Sequence, residues 1–192
     1  LQRVEFVRRE MMFEMRYGSG SGTLDNDNEK QLIRSQSKIV SPEKLDEARK
    51  NGLKLNLGCG HIGKEGYINI DRRSLPGIDI VAEVDDLPIN AHEVDEIYSA
   101  HLIEHFPQEQ LTRELLPYWI SLLKEGGVFR VVAPDSEAMM QAYVKGNFPY
   151  ASLREVTFGA QDYDGDFHYN MFTPKSLSEL LIKFELIDIK TV

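Results

Sequence analysis

Short apolar segments separated by turn-forming residues recur along the chain from residue 53 onward. Such segments are typical of strands buried on both faces, as in parallel sheets. Longer segments between them have helical spacing and predict helices over about 107–123, 136–145 and 174–184, with Pro117 expected to kink or split the first. The alternation predicts an α/β fold with a mostly parallel sheet. Its strands are predicted at residues 53–57, 67–70, 78–82, 94–98, 128–133 and 186–192.

The first 50 residues have a different pattern. Residues 1–16 carry apolar side chains at helical spacing, and the turn formers of residues 17–29 predict a flexible linker. A further helix is predicted from Ser41 and Pro42 to the stop signal at Asn51 and Gly52. We therefore divide the chain into an N-terminal helical extension with its linker, 1–50, and a domain, 51–192. The detached first helix is expected to contact a protein partner or to form a dimer.

Residues 146–171 lack clear periodicity and predict a long loop, which in a compact domain often covers a site. We expect this segment to recognise the substrate, since its aromatic side chains suit stacking on a sugar or another ring. They are Phe148, Tyr150, Phe158, Tyr163, Phe167 and Tyr169.

A glycine-rich turn between the first two predicted strands carries the clearest chemical signal. Gly58, Gly60 and Gly63 allow the backbone to turn tightly and to approach a ligand. Asp71 ends the next strand, where a carboxylate can accept hydrogen bonds from a ribose diol. A glycine turn between two core strands, without ligand, is the plain alternative. A dinucleotide site also has this pattern, but it needs a full helix after the glycines, and the ten residues between Gly60 and Asp71 leave no room for one.

Bulk properties exclude several classes of protein. The formal net charge of −9 disfavours nucleic acid as a partner, because phosphate binding needs a basic face. We find neither an apolar run of the length that spans a membrane nor a secretory leader. Cys59 is the single cysteine, so no internal disulfide and no cysteine metal cluster is expected. These features together predict a cytoplasmic location.

The motif Leu55-Asn56-Leu57-Gly58-Cys59-Gly60 resembles the first motif of the class I S-adenosylmethionine-dependent methyltransferases. Four further segments continue the resemblance in order: 80–89, 94–106, 122–135 and 168–181. The most similar type is the compact bacterial one, resembling methyltransferase type 11, in which the first helix is shortened. The resemblance implies a Rossmann-like, doubly wound, three-layer fold. The family's sheet usually ends with two further strands, and only one is predicted after residue 133, so either the last strand is missing or the native chain is longer.

The resemblance further implies S-adenosyl-L-methionine as cofactor. The glycine turn would wrap its amino acid portion, and Asp71 would hold the ribose hydroxyls. Glu83 stands where the family usually has an aspartate at the adenine edge, and the residues after the fourth parallel strand would lie near the methyl group. The full set of cofactor-binding residues is Asn56, Gly58, Cys59, Gly60, Asp71, Glu83, Val84, Leu87, Ala100 and His101.

The implied reaction is in-line displacement of the methyl group by a small-molecule, glycan or lipid-linked acceptor. His101, His168 and Asp135 are the catalytic candidates, because an acceptor hydroxyl must lose its proton. We expect no metal site, since His101 and His105 lack the HExxH order and a third ligand in sequence. Two alternatives stay open: a nucleoside-binding module without turnover in a larger assembly and, less favoured, a nicotinamide oxidoreductase.

Overall fold

A six-stranded sheet forms the centre of the protein, which we describe from a computed structural model covering residues 37–163 and 165–191. The strand order is β1-β4-β3-β2-β5-β6, and all neighbours are parallel except the antiparallel pair β1 and β4. The predicted Rossmann-like α/β fold with a mostly parallel sheet is therefore confirmed. The strands are β1 (Lys38–Ile39), β2 (Lys54–Leu57), β3 (Ile68–Asp71), β4 (Ile80–Val81), β5 (Val94–Ala100) and β6 (Leu123–Val132).

Helices connect β1 to β2 and β5 to β6, and further helices follow β6. A 3₁₀ turn at Ile103–His105 follows β5, and a π-helical turn at Leu111–Leu115 separates two α-helical segments. The π turn ends two residues before Pro117, which lacks the N–H that a regular helix needs there, so the predicted interruption of this helix is confirmed. The α-helices are α1 (Pro42–Asn51), α2 (Gln108–Gln110), α3 (Leu116–Leu122), α4 (Ser136–Val144), α5 (Tyr150–Phe158) and α6 (Pro174–Ile182).

Residues 37–50 contribute to the sheet domain, although the sequence assigns them to the N-terminal extension. β1 pairs with β4, and Leu45 of α1 is buried in the core. The ammonium of Lys44 lies 2.6 Å from Asp79 Oδ2. The predicted helix 1–16, its linker and any partner contact through them lie outside the described residues.

Two predictions for the C-terminal part of the chain are wrong: the strand at 186–192 and the structureless loop at 146–171. Residues 186–191, predicted as a strand, have no regular structure, and Glu185 and Asp188 have positive φ angles of 61° and 53° that break an extended path. Beyond an isolated bridge between Asp135 and Phe172, no strand follows β6 in the described residues. The predicted loop 146–171 contains α5, and the signals for that helix are Pro149 before it and a glycine after it.

The connection between β2 and β3 consists of turns and contains no helix, as predicted from its length. In the described part of the chain, no helix combines the length and the apolar character needed to cross a membrane.

Trp119 of α3 is the largest fully buried side chain in the core. Its ring packs near Phe106 and Phe129, with centroid distances of 6.3 Å in both cases. The indole N–H donates a 2.8 Å hydrogen bond to the carbonyl oxygen of Val84, in the loop after β4. This bond ties α3 to a loop that the sequence predicts to contact the cofactor.

We predict that Trp119→Phe lowers the free energy of unfolding by about 2–4 kcal/mol, because it leaves a cavity and an unpaired Val84 carbonyl. Circular dichroism in urea measures this, since Trp119 is the single tryptophan and its fluorescence is lost. The matched control is Tyr150→Phe, at a side chain that is 65% exposed, with an expected change within about 0.5 kcal/mol. Equal losses in both variants would contradict the assigned role of Trp119.

Candidate functional site

A cavity of about 220 Å³ opens at the carboxyl ends of β2, β3, β4 and β5. This edge of a parallel sheet is where open α/β folds bind their ligands. Five of the predicted site residues line the cavity: Gly58, Asp71, Glu83, Val84 and His101. The remaining wall is formed by Arg72, Arg73, Leu102, His105, Phe106, Tyr163 and Gly165, which the sequence did not single out as cofactor contacts.

The glycine turn is held against the end of β3 by hydrogen bonds. The Cys59 N–H donates to the carbonyl oxygen of Ile70 (3.1 Å), and the Gly60 N–H donates to Asp71 Oδ2 (2.8 Å). Gly58 and Gly60 have φ angles of 60° and 57°, a conformation that favours glycine. The turn therefore has a fixed shape beside the carboxylate that the sequence assigns to a ribose.

Asp71 is buried, and its carboxylate accepts three hydrogen bonds. Besides the bond from Gly60, its Oδ1 accepts from the backbone N–H of Arg73 (2.9 Å) and from Arg73 Nε (3.1 Å). The Arg73 guanidinium also lies 4.5 Å from the centroid of the Tyr163 ring. The hydrogen bond to Asp71 raises the pKa of Arg73, which keeps this side chain charged against the cavity wall.

Asn56 supports the turn from within the sheet and is not part of the cavity wall. Its Nδ2 donates to Asn69 Oδ1 (2.8 Å), and the same oxygen accepts from the Lys64 N–H (2.8 Å). Both asparagines are buried, so these bonds satisfy groups that water cannot reach. Asn56 therefore supports the turn in this structure, and its partner Asn69 went unrecognised because the pairing depends on strand register.

The loop after β4 presents Glu83 and Val84 to the cavity, whereas Leu87 is buried in the core. The Leu87 N–H donates to the hydroxyl oxygen of Tyr118 (2.8 Å), and burial raises the pKa of that hydroxyl. Together with Trp119, this tyrosine fixes the loop from α3. Neither aromatic carries a sequence signal for this role, because the contact joins elements far apart in the chain.

The end of β5 places Ala100 and His101 beside the cavity. Ala100 pairs with Val132 in the sheet, and the His101 N–H donates to the carbonyl oxygen of Val132 (2.9 Å). His101 has a φ angle of 52°, and its side chain is 65% exposed. Of the three catalytic candidates, His101 is the one that lines the cavity.

Asp135 and His168 lie outside the wall of the large cavity. Asp135 Oδ1 accepts hydrogen bonds from the N–H groups of Glu137 and Ala138 (3.1 Å each), so it caps the N-terminus of α4. His168 lies next to a smaller cavity, which it shares with the buried Glu104. Its Nδ1 is 2.6 Å from the carbonyl oxygen of Val156.

Cys59 does not have the properties of a nucleophile. Burial, followed by the nearby Asp71 carboxylate, raises the pKa of its thiol to about 11. The reactive thiolate is therefore scarce at neutral pH.

Comparison of the sequence with protein-family models and with curated proteins found no match.

Gly58 is a position where a side chain would collide with the cavity wall. A Cβ there would lie 2.5 Å from Leu102 Cδ1, whereas a Cβ at Gly66, which has a φ angle of 78°, would meet no atom within 4 Å. We predict that Gly58→Ala destabilises the protein by about 2–4 kcal/mol, through backbone strain and overpacking. Gly66→Ala should cost only the strain, about 1–2 kcal/mol. Urea unfolding measures the loss of stability in both variants. Equal losses would show that the Leu102 side chain moves away from the new methyl group at no cost.

We predict that alkylation of Cys59 is slow near neutral pH and accelerates about tenfold per pH unit from about pH 7 to 10, following the thiolate. The rate is measured by mass spectrometry after timed exposure to iodoacetamide. The same chain unfolded in guanidinium is the control, and its rate should level off above about pH 8.5. A plateau at that pH in the folded protein would contradict the raised pKa.

Proposed function

We propose that this protein binds S-adenosyl-L-methionine and transfers its methyl group to a small-molecule, glycan or lipid-linked acceptor. The observation that carries the proposal is the buried Asp71 carboxylate, which ends β3 beside a glycine turn and lines a cavity at the carboxyl edge of the sheet. The ordered motifs of the sequence support it.

Asp71 has the hydrogen-bonding capacity that a ribose diol requires. A carboxylate offers about four acceptor positions, and three are used, two at Oδ1 and one at Oδ2. One ribose hydroxyl can bind at Oδ2, and the second needs the position that Arg73 Nε occupies at Oδ1. Cofactor binding therefore exchanges the Arg73 side-chain hydrogen bond for one from the ribose.

The connection between β2 and β3 supports a mononucleoside over a dinucleotide. Pyrophosphate groups bind at the N-terminus of a helix that follows the glycine turn. This connection contains turns alone, so it offers no such site. The absence of that helix also speaks against the nicotinamide oxidoreductase.

In the proposed reaction the cofactor supplies an electrophilic methyl group, and the protein aligns the acceptor with it. The imidazole of His101 lies on the cavity wall and is exposed enough to take a proton from an acceptor hydroxyl. A ring-shaped acceptor is favoured by exposed aromatic side chains in and after α5. They are Tyr150, Phe158, Tyr163, Phe167 and Tyr169.

A cytoplasmic location belongs to the same proposal, because the chain has one cysteine and uses no disulfide. We assign the predicted helix 1–16 to contact with a protein partner or a second copy of the chain.

The first test is calorimetric titration of the protein with S-adenosylmethionine and S-adenosylhomocysteine. We predict that Asp71→Asn weakens binding about 10- to 100-fold, because it removes hydrogen bonds to a charged acceptor. Asp95→Asn is the matched control. Asp95 accepts from the Leu53 N–H and pairs with Lys124 at the amino end of the sheet, away from the cavity, so cofactor affinity should not change.

Absence of binding by folded wild-type protein would overturn the proposal. Transfer of labelled methyl groups to a panel of glycans and hydroxylated small molecules separates an enzyme from a binding module. In an enzyme, His101→Ala should lose far more transfer rate than cofactor affinity. A module without turnover would bind the cofactor equally in both proteins and show no transfer in either.

A further inference from the structure

Glu104 is a buried acid whose carboxylate lacks hydrogen bonds. Its side chain is 1% exposed, and neither Oε1 nor Oε2 has a hydrogen-bond partner among residues 37–163 and 165–191. His101 Nδ1 lies 3.4 Å from Oε1, outside hydrogen-bond geometry. Removing a carboxylate from water without hydrogen bonds is costly, so this arrangement favours a ligand that its two oxygens can bind.

Two further histidines complete a cluster around this carboxylate. One ligand atom each from Glu104, His105 and His168 lies within 4.8 Å of the others. The two imidazole rings stand perpendicular, at 89°, with centroids 4.7 Å apart. Metal bonds of about 2.0–2.2 Å place ligand atoms roughly 3–3.5 Å apart, so small side-chain rotations suffice to close the cluster on one ion.

The hydrogen bonds of the two histidines leave one nitrogen of each ring for a ligand. His105 Nδ1 lies 3.2 Å from the carbonyl oxygen of Gly165, and His168 Nδ1 lies 2.6 Å from that of Val156. A carbonyl oxygen only accepts, so Nδ1 is the donor in each ring and Nε2 is the nitrogen left by these bonds for a metal ion. Metal-binding histidines are oriented by bonds of this kind.

The backbone holds the cluster together across a long sequence separation. The N–H groups of Tyr169 and Asn170 both donate to the carbonyl oxygen of Glu104, at 2.8 and 3.2 Å. Asn170 Nδ2 donates to the carbonyl oxygen of Phe106 at 2.7 Å. These bonds fix the segment that carries His168 on the 3₁₀ turn that carries Glu104 and His105.

We propose that Glu104, His105 and His168 bind a divalent first-row transition metal ion. Two imidazoles and one carboxylate suit Zn²⁺ or Fe²⁺ better than Mg²⁺ or Ca²⁺, which prefer oxygen ligands alone. This inference departs from the expectation of no metal site, which rested on sequence spacing and could not include His168.

The position of the cluster gives the ion a role in the proposed reaction. His105 lines the large cavity, while Glu104 and His168 line the smaller one. The ion would therefore lie between the two cavities. Three protein ligands leave open positions, at which an oxygen of the acceptor can be held beside the cofactor. This role rests on the proposed function, whereas the metal site itself does not.

The test is calorimetric titration of the chelator-treated protein, residues 1–192, with Zn²⁺ alone, without S-adenosylmethionine. We expect one ion per chain and an affinity that falls at least about 100-fold in Glu104→Gln and His168→Ala, because losing a ligand exceeds the effect of losing an outer-shell partner. The matched control is His92→Asn, a histidine outside the cluster with a φ angle of 58° that asparagine tolerates. This control should bind like wild type, and Mg²⁺ should bind far more weakly than Zn²⁺.

Circular dichroism establishes that each variant is folded. If Glu104→Gln does not fold, His168→Ala carries the test, since that side chain is partly exposed. No Zn²⁺ binding by wild type, unchanged binding in His168→Ala, or an equal loss in His92→Asn would overturn the metal site. Asp71→Asn separates the two proposals, because it should keep Zn²⁺ binding while losing cofactor affinity.

Discussion

The hydrogen bond between the Gly60 N–H and Asp71 Oδ2 determines the shape of the candidate site. It joins the turn after β2 to the last residue of β3 at a distance of 2.8 Å. Because the connection between these strands has no helix, the turn must be held by its own backbone and by buried side chains. Asn56 and Asn69 complete that support from the sheet, and the cavity wall is built on it.

Two buried carboxylates in this domain have opposite surroundings. Asp71 accepts three hydrogen bonds, including one from a charged guanidinium, and is satisfied without a ligand. Glu104 is at least as buried, yet accepts none from the described residues. Folded proteins pair nearly all of their buried polar groups, so Glu104 rather than Asp71 is the carboxylate that needs a further partner, which the proposed metal ion would supply.

The sequence predicted those features of the site that depend on local spacing. The position of the glycine turn, the missing helix and Asp71 at a strand end all follow from residues close together in the chain. The supports from Tyr118 and Asn69 and the approach of His168 to Glu104 depend on tertiary packing, which spacing does not encode. Residues 186–192 have the apolar composition of a strand and were predicted as one. The positive φ angles of Glu185 and Asp188 override the β-propensity of this segment.

The segment after α5 connects the two candidate sites physically. Tyr163 stacks on Arg73 at the Asp71 end of the large cavity, and the carbonyl oxygen of Gly165 orients His105. His168 follows and lies beside Glu104. A ribose that takes the Oδ1 position of Arg73 Nε breaks that hydrogen bond, and the Arg73 guanidinium also contacts Tyr163 in this segment. The two proposed sites therefore share one segment of the chain, although each depends on its own buried carboxylate.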